Sequence, residues 1–279
     1  MRHDIARRGS CSTMRRRARE LLSGHNIAMD DTQLLRYSRH ILLQELGPDA
    51  QLRFSRAHAL LVGMGGLGAP AAQFLAAAGI GTLTLCDADR VDLTNLQRQI
   101  LYATADIGEL KVDAAARRLN AVNPEIRVER IAARVDAAAL APLVAAADVV
   151  LDCSDNFATR HAINAACVRA GKPLVSGAAI RFDGQIAVFA ANRTDSPCYH
   201  CLFGEGQEIE ETRCATMGVF APLVGIVGAT QAAEALKLIA GVGTSLAGRL
   251  LLLDALTMQW RELRVPRDPA CPVCARRDP

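Results

Sequence analysis

The segment Gly63-Met64-Gly65-Gly66-Leu67-Gly68 constrains the fold of this chain more than any other. It follows a short apolar run, His58 to Val62, and precedes the Ala-rich stretch Ala69 to Ala78, after which Gly81 to Asp87 reads as a second strand. Strand, glycine turn, helix and strand within about thirty residues make a βαβ unit. A glycine loop at that place lets backbone approach a phosphate closely and turns amide donors and a helix N-terminus toward it. Asp87 ends the second strand, where an acid accepts hydrogen bonds from ribose hydroxyls. The motif implies a nucleotide without choosing among NAD, FAD and ATP, and glycines alone would also serve close helix packing.

The alternation continues down the chain. Helical patterns cover Leu110 to Asn120, Ala137 to Ala147 and Ala158 to Ala170, and strand patterns cover Ile126 to Ile131, Val149 to Asp152 and Pro173 to Ser176. This predicts an α/β, Rossmann-like fold: a mostly parallel sheet with helices on both faces. Ahead of it, Asp30 to Leu46 reads as one amphipathic helix, with Gly47-Pro48 as its stop. Beyond it the rhythm changes. Ala179 to Ala190 and Arg249 to Val265 read as strand-rich ribbons, the second turning near Asp254-Ala255-Leu256, with a polar stretch Gly204 to Arg213 and a long helix Leu223 to Ile239 between them. The parallel half is therefore expected to continue into antiparallel strands.

With 51% hydrophobic and 22% charged residues, the chain falls in the soluble globular class. The apolar stretches Ala137 to Leu151 and Pro222 to Gly243 are broken by Pro142, Asp148, Gln231, Glu234 and Lys237, so neither reads as a membrane span. Residues 1–28 hold seven Arg against Asp4 and Glu20, which accounts for the net charge of +3 and leaves the rest close to neutral. Residues 1–29 are read as a basic, disordered extension, 30–279 as one domain, and no nucleic acid partner is expected.

Lys is scarce beside Arg, which makes Lys111, at the start of a helix, informative. It joins Arg98, in the polar stretch Val91 to Gln99 that follows the ribose acid. A dinucleotide needs little positive charge, whereas a triphosphate carries about four negative charges and needs cations around it. ATP is the better reading, against solvated surface side chains as the alternative. Asp155, just past the strand Val149 to Asp152, can hold Mg²⁺; Asp152 could do so instead, or could cap the following turn. Cys198-Tyr199-His200-Cys201 and Cys271-Pro272-Val273-Cys274 are two Cys-x-x-Cys knuckles that match a closed four-thiolate Zn²⁺ site, redox dithiols being the alternative. Cys214 has Arg213 beside it to lower its pKa, and reads as a nucleophile or as an incidental loop thiol. Cys86, Cys153 and Cys167 fall in apolar patterns and are expected to be buried. The odd total of nine Cys, four of them in knuckles, speaks for a reducing cytoplasm rather than a secreted disulfide framework.

Together these residues resemble the MoeB/ThiF/HesA family, relatives of the ubiquitin-activating enzymes. The resemblance runs from about Asp31 to Cys274 and includes Leu35-Arg36-Tyr37-Ser38-Arg39, the glycine loop, Asn95-Leu96-Gln97-Arg98-Gln99, Lys111, Asp152-Cys153-Ser154-Asp155-Asn156 and both cysteine knuckles. It implies an adenylyltransferase that uses ATP, Mg²⁺ and Zn²⁺ to adenylate the C-terminal Gly-Gly of a ubiquitin-like sulfur carrier, which a cysteine desulfurase or sulfurtransferase then supplies with sulfur. In this reading Gly65, Gly66, Thr94, Asn95, Leu96, Gln97, Arg98, Lys111 and Asn156 line the nucleotide, Asp87 holds the ribose and Asp155 the magnesium. Residues 57–177 form the nucleotide half, and 178–279 the carrier and zinc half. Arg39 resembles the arginine that this family inserts into its partner's site, implying a homodimer. Cys214 matches a position some relatives use for a thioester or persulfide, although its flank Cys-Ala-Thr-Met-Gly departs from the small and acidic surroundings usual there. Ser176 to Arg181 resembles molybdopterin-pathway members, whereas Ala158 to Arg160 and Ile163 to Cys167 resemble thiamine-pathway members. An NAD or FAD oxidoreductase and a non-catalytic carrier-docking subunit are the alternatives.

Overall fold

A computed structural model describes residues 29–204 and 217–275. Eight strands form one sheet: β1 (His58–Val62), β2 (Thr82–Cys86), β3 (Arg127–Ile131), β4 (Val149–Asp152), β5 (Pro173–Ile180), β6 (Asp183–Ala190), β7 (Arg249–Asp254) and β8 (Gln259–Arg264). Their spatial order is β3-β2-β1-β4-β5-β6-β7-β8. The first five pair in parallel, and β5 through β8 pair antiparallel. The strand order reverses between neighbours β1 and β4, which leaves a crevice at their carboxyl ends, the place where open α/β sheets bind ligands.

Alternation along each strand divides the core. Ala59, Leu61, Leu83, Leu85, Val149, Leu151, Val175, Ile186 and Val188 face one layer, and Leu60, Val62, Val150, Leu174, Ala187 and Phe189 face the other. The first layer is covered by α3 (Gly47–Arg56), α4 (Gly68–Ala78), α5 (Lys111–Val122) and α9 (Ala221–Ala240). The second is covered by α6 (Ala137–Ala146), α7 (Phe157–Ala170) and α8 (Tyr199–Leu202). Each fully buried Leu or Val contributes roughly 1.5–3 kcal/mol through the area it removes from water. Although α9 is long and apolar enough to cross a membrane, half of it is buried inside the fold. It also places Gln231 in the core, where Nε2 donates to the carbonyls of Asp152 (2.8 Å) and Val175 (3.2 Å) and so ties the helix to β4 and β5.

Three boundaries differ from the sequence reading. The helix expected over Asp30 to Leu46 is two short helices, α1 (Asp31–Arg36) and α2 (Ser38–Ile41). They are parted at Tyr37, whose ring is buried against Gly79: a Cβ on Gly79 would lie 2.6 Å from the Tyr37 ring. Gly47-Pro48 opens α3 instead of ending a helix, since proline suits the first turn, where its missing N–H costs nothing. Finally, β5 runs on to Ile180 and turns back through Arg181 and Phe182 into β6, with Arg181 taking up a positive φ of 53°. The turn expected near Asp254 is present, the Asp254 carboxylate accepting from Leu256 N–H and from the Thr257 hydroxyl. The basic residues 1–28 and most of the polar stretch from Gly204 to Arg213 lie outside the described residues.

Candidate active site

The glycine loop after β1 crosses the loop after β4 at van der Waals distance. Gly63 has φ +95°, and a Cβ there would lie 2.6 Å from the Cys153 carbonyl; one on Gly68 would lie 1.9 Å from the Gly63 carbonyl. These two glycines are required by packing. Gly65 is not: the nearest atom to a Cβ there is Gln99 Nε2 at 3.5 Å, an ordinary contact. Gly66 is intermediate, with Val224 at 3.1 Å. Hence only part of the motif is explained by the fold alone.

Asp87 faces this loop. Its Oδ2 accepts the Met64 N–H at 2.7 Å and its Oδ1 the Asp89 N–H at 2.8 Å. Burial pushes its pKa above the ordinary carboxylate value, an effect that Lys111 and the two backbone donors oppose. Tyr102, buried, donates from its hydroxyl to the Met64 carbonyl at 2.7 Å, so Met64 is gripped on both sides. Lys111, the first residue of α5, is buried along its stem, and its Nζ lies 2.9 Å from Asp89 Oδ2. Asp106 secures that helix: it takes hydrogen bonds from Arg117 (2.6 Å) and Arg118 (3.0 Å) on α5. Burial alone would raise the Asp106 pKa, but the Ala103 N–H and the two guanidiniums hold it below the ordinary range.

The segment between Asp87 and α5 is a short 3₁₀ turn, Leu93–Asn95, with a tail. Asp92 caps it, accepting from the Thr94 N–H (2.8 Å) and hydroxyl (2.6 Å). Arg98 Nη1 donates to the Thr94 carbonyl at 3.1 Å, Leu96 packs on the core, and Gln97 is exposed. Gln99 is buried beside Gly65, and its Oε1 finds no partner among the described residues.

On the other side of the crevice Asp152 is fully buried. Ser154 and Ser176 hydroxyls donate to it at 2.6 and 2.8 Å and the Ser154 N–H at 3.1 Å, so its oxygens cap the turn that follows β4, not the helix, and are already taken by the protein. The cap of α7 is Asn156, whose Oδ1 accepts the Thr159 N–H at 2.9 Å. Asp155 is exposed, with Asn156 Nδ2 at 3.5 Å. An exposed carboxylate with little protein bonding suits Mg²⁺, which keeps waters and takes one or two carboxylates beside phosphate oxygens.

Arg39 is not with these residues. It is exposed on α2, whose neighbours Tyr37 and Arg36 contact Gly79, Asn123 and Val122 at the carboxyl ends of α4 and α5. Those ends lie on the amino edge of the sheet. The 11 residues of α4 separate them from the glycine loop, about 16 Å at 1.5 Å per residue. A cleft of about 560 Å³ on that same edge, lined by Arg53, Arg56 and Lys172, shares no residue with the glycine loop.

The four knuckle cysteines converge although the two pairs are 73 positions apart. Their sulfurs all lie within 4.8 Å of one another, with Cys198–Cys201 at 3.9 Å, Cys198–Cys271 at 3.7 Å and Cys201–Cys274 at 3.5 Å. A tetrahedron of sulfurs 2.3 Å from a central Zn²⁺ has edges of about 3.8 Å, so the donor set fits that ion. Asn164 Nδ2 points at Cys198 Sγ (3.6 Å) while its Oδ1 accepts the Tyr199 N–H, which fixes the first knuckle to α7. Cys86, Cys153 and Cys167 are buried, and burial pushes their thiols up, that of Cys86 to about 12, so none is a nucleophile. Cys214 lies outside the described residues.

Asp89, Tyr102, Gln99 and Asp106 were not assigned by sequence reasoning. The only signal for them was their place on either side of residues that were.

A nucleotide-type crevice at a sheet reversal, faced by a buried lysine and an exposed acid, with a four-cysteine knuckle on the antiparallel half, defines an α/β nucleotide-binding enzyme class. Comparison of residues 37–273 matches them to the ThiF family, and the chain belongs to that family. It is 46% identical over 251 residues to the molybdopterin-synthase adenylyltransferase of Escherichia coli, spanning 89% of this chain and 99% of that protein. It is 47% identical over 246 residues to the sulfur carrier protein ThiS adenylyltransferase of the same organism, spanning 88% and 97%. Among solved structures it resembles E. coli MccB with ATP, at a TM-score of 0.74 and 26% identity over 88% of this chain and 74% of that one.

Proposed function

We propose that this chain adenylates the C-terminal glycine of a ubiquitin-like sulfur carrier, releasing pyrophosphate. The observation that carries this reading is the 46–47% identity, over nearly their full length, to two enzymes named as adenylyltransferases of molybdopterin synthase and of the sulfur carrier protein ThiS. The carrier's carboxylate attacks the α-phosphorus of ATP while the bond to pyrophosphate breaks. A terminal carboxylate is already ionised near neutral pH, so no general base is required. Catalysis then reduces to alignment and charge neutralisation.

In this reading the amides of Gly65 and Gly66 meet the phosphates, Asp87 the ribose, and Lys111 and Arg98 the negative charge, with Thr94, Asn95, Leu96, Gln97 and Asn156 lining the nucleotide. Asp155 would hold Mg²⁺, which supplies positive charge to the departing pyrophosphate. Cys198, Cys201, Cys271 and Cys274 would hold a structural Zn²⁺ that ties the carboxyl-terminal segment to α8. Arg39 is too far to serve its own chain, which supports a homodimer in which it completes the partner's site. A cysteine desulfurase or sulfurtransferase in a reducing cytoplasm would supply the sulfur.

The test is exchange of labelled pyrophosphate into ATP, with molybdopterin-type and thiamine-type carriers ending in Gly-Gly offered separately. The expected result is exchange that depends on one of the carriers. Exchange that is equal without any carrier, or absent with all of them, would reject the proposal.

A further inference from the structure

Asp89, two residues past the ribose acid, is bonded to both Asp87 and Lys111. Its N–H donates to Asp87 Oδ1 at 2.8 Å, its carbonyl accepts the Lys111 N–H at 2.9 Å, and its carboxylate meets Lys111 Nζ at 2.9 Å. Asp87 in turn accepts the Met64 N–H, so one hydrogen-bonded chain runs from the glycine loop through Asp87 and Asp89 to Lys111. The segments carrying the last two are held opposite each other by the Arg90–Leu110 bridge and by the Val91 N–H on the Glu109 carbonyl. Only 6% of the Lys111 side chain is exposed, against 58% of Asp89. Packing therefore fixes the lysine stem, and the exposed carboxylate sets where its ammonium points.

This arrangement is unfavourable for simple nucleotide binding. A cation at the first residue of α5 sits at the positive end of the helix dipole, and without Asp89 it is pushed away from that end. A carboxylate beside a polyphosphate site also repels the ligand. A residue that weakens ground-state binding but fixes a cation's direction is of use where the cation must meet charge that develops during reaction.

We propose that Asp89 is a positioning residue for adenylation: it aims the Lys111 ammonium at the phosphate oxygens that gain charge in the transition state. The proposal rests on the adenylation reading above.

The experiment compares wild type, Asp89→Asn and Asp89→Glu in the full chain. ATP affinity is measured by calorimetry without carrier, and exchange with the Gly-Gly-ended carrier that wild type accepts. For Asp89→Asn, kcat for exchange should fall about 10- to 100-fold, the scale of one misdirected charge-assisted contact, while ATP affinity stays within about twofold or tightens. Asp89→Glu should recover part of the rate at unchanged affinity. A loss of affinity that matches the loss of rate, or an unchanged rate, would overturn the proposal. If Asp89→Asn does not fold, Asp89→Glu carries the test, since its extra methylene displaces the ammonium and full wild-type activity would refute the role. If wild type binds ATP but exchanges with no carrier, the adenylation reading fails first and this inference falls with it.

Discussion

Cys198 and Cys271 bring their sulfurs to 3.7 Å across 73 positions of sequence, and Cys201 and Cys274 meet in the same cluster at 3.5 Å. Four thiolates this close repel one another, so a divalent cation held among them would stabilise the cluster. Protein purified without chelators should hold about one zinc per chain by metal analysis. Cys271→Ala should cost on the order of 3 kcal/mol or more, about 10 °C in Tm. A variant that melts like wild type would show that the knuckles do not staple the fold.

Gly65 and Gly68, three residues apart in one loop, differ in what an added methyl would meet. Gly68→Ala drives a methyl into the Gly63 carbonyl and should destabilise by about 3 kcal/mol or more, seen as a large fall in Tm. Gly65→Ala meets only Gln99 at ordinary distance, so it should fold normally. Its added methyl nonetheless occupies the space where a phosphate would approach the backbone, and ATP affinity measured by calorimetry should drop at least about tenfold. Normal ATP binding by Gly65→Ala would place the phosphates elsewhere.

Arg39 stands on the edge of the sheet opposite the glycine loop. If it works in a partner's site, Arg39→Ala and Lys111→Ala should each lose about 10²-fold or more in exchange rate with the fold intact. Mixing the two under conditions that exchange subunits should restore activity, because one site in each heterodimer then has both residues. No recovery would mean that Arg39 only shapes its helix and that the shared-site reading fails.

Asp106 predicts an acid limb. Its pKa is depressed in the folded state, so its stabilisation is present above the unfolded value of 3.8 and is lost as pH falls through the lower folded value. Asp106→Asn should lower Tm at pH 7 by several degrees, the scale of about 1–3 kcal/mol for weakening a buried charged hydrogen-bond set. The gap between wild type and variant should close at pH values below the ordinary carboxylate range. A gap independent of pH would assign the loss to packing.

Local chemistry announced much of this protein. The glycine loop between two strands, the acid at the end of β2 and the strand–helix alternation are short-range patterns, because backbone hydrogen bonding and side-chain periodicity act over a few residues. The break at Tyr37 was not visible in that way. It depends on Gly79, and an amphipathic run of Leu and Ile looks the same whether or not a ring must fit beneath it.

Sequence by itself determined the order in which the parallel elements come along the chain, and it named the residues from which a nucleotide site could be built. Tertiary structure decided which of two neighbouring acids is available: Asp152 is bound by Ser154 and Ser176, which leaves Asp155 to face solvent. It decided that Lys111 is answered by Asp89, and that Arg39 stands on the far edge from the glycine loop of its own chain. Composition and spacing say what a side chain can do. Burial and the partners that chain reversal brings near decide whether its charge and lone pairs are already in use.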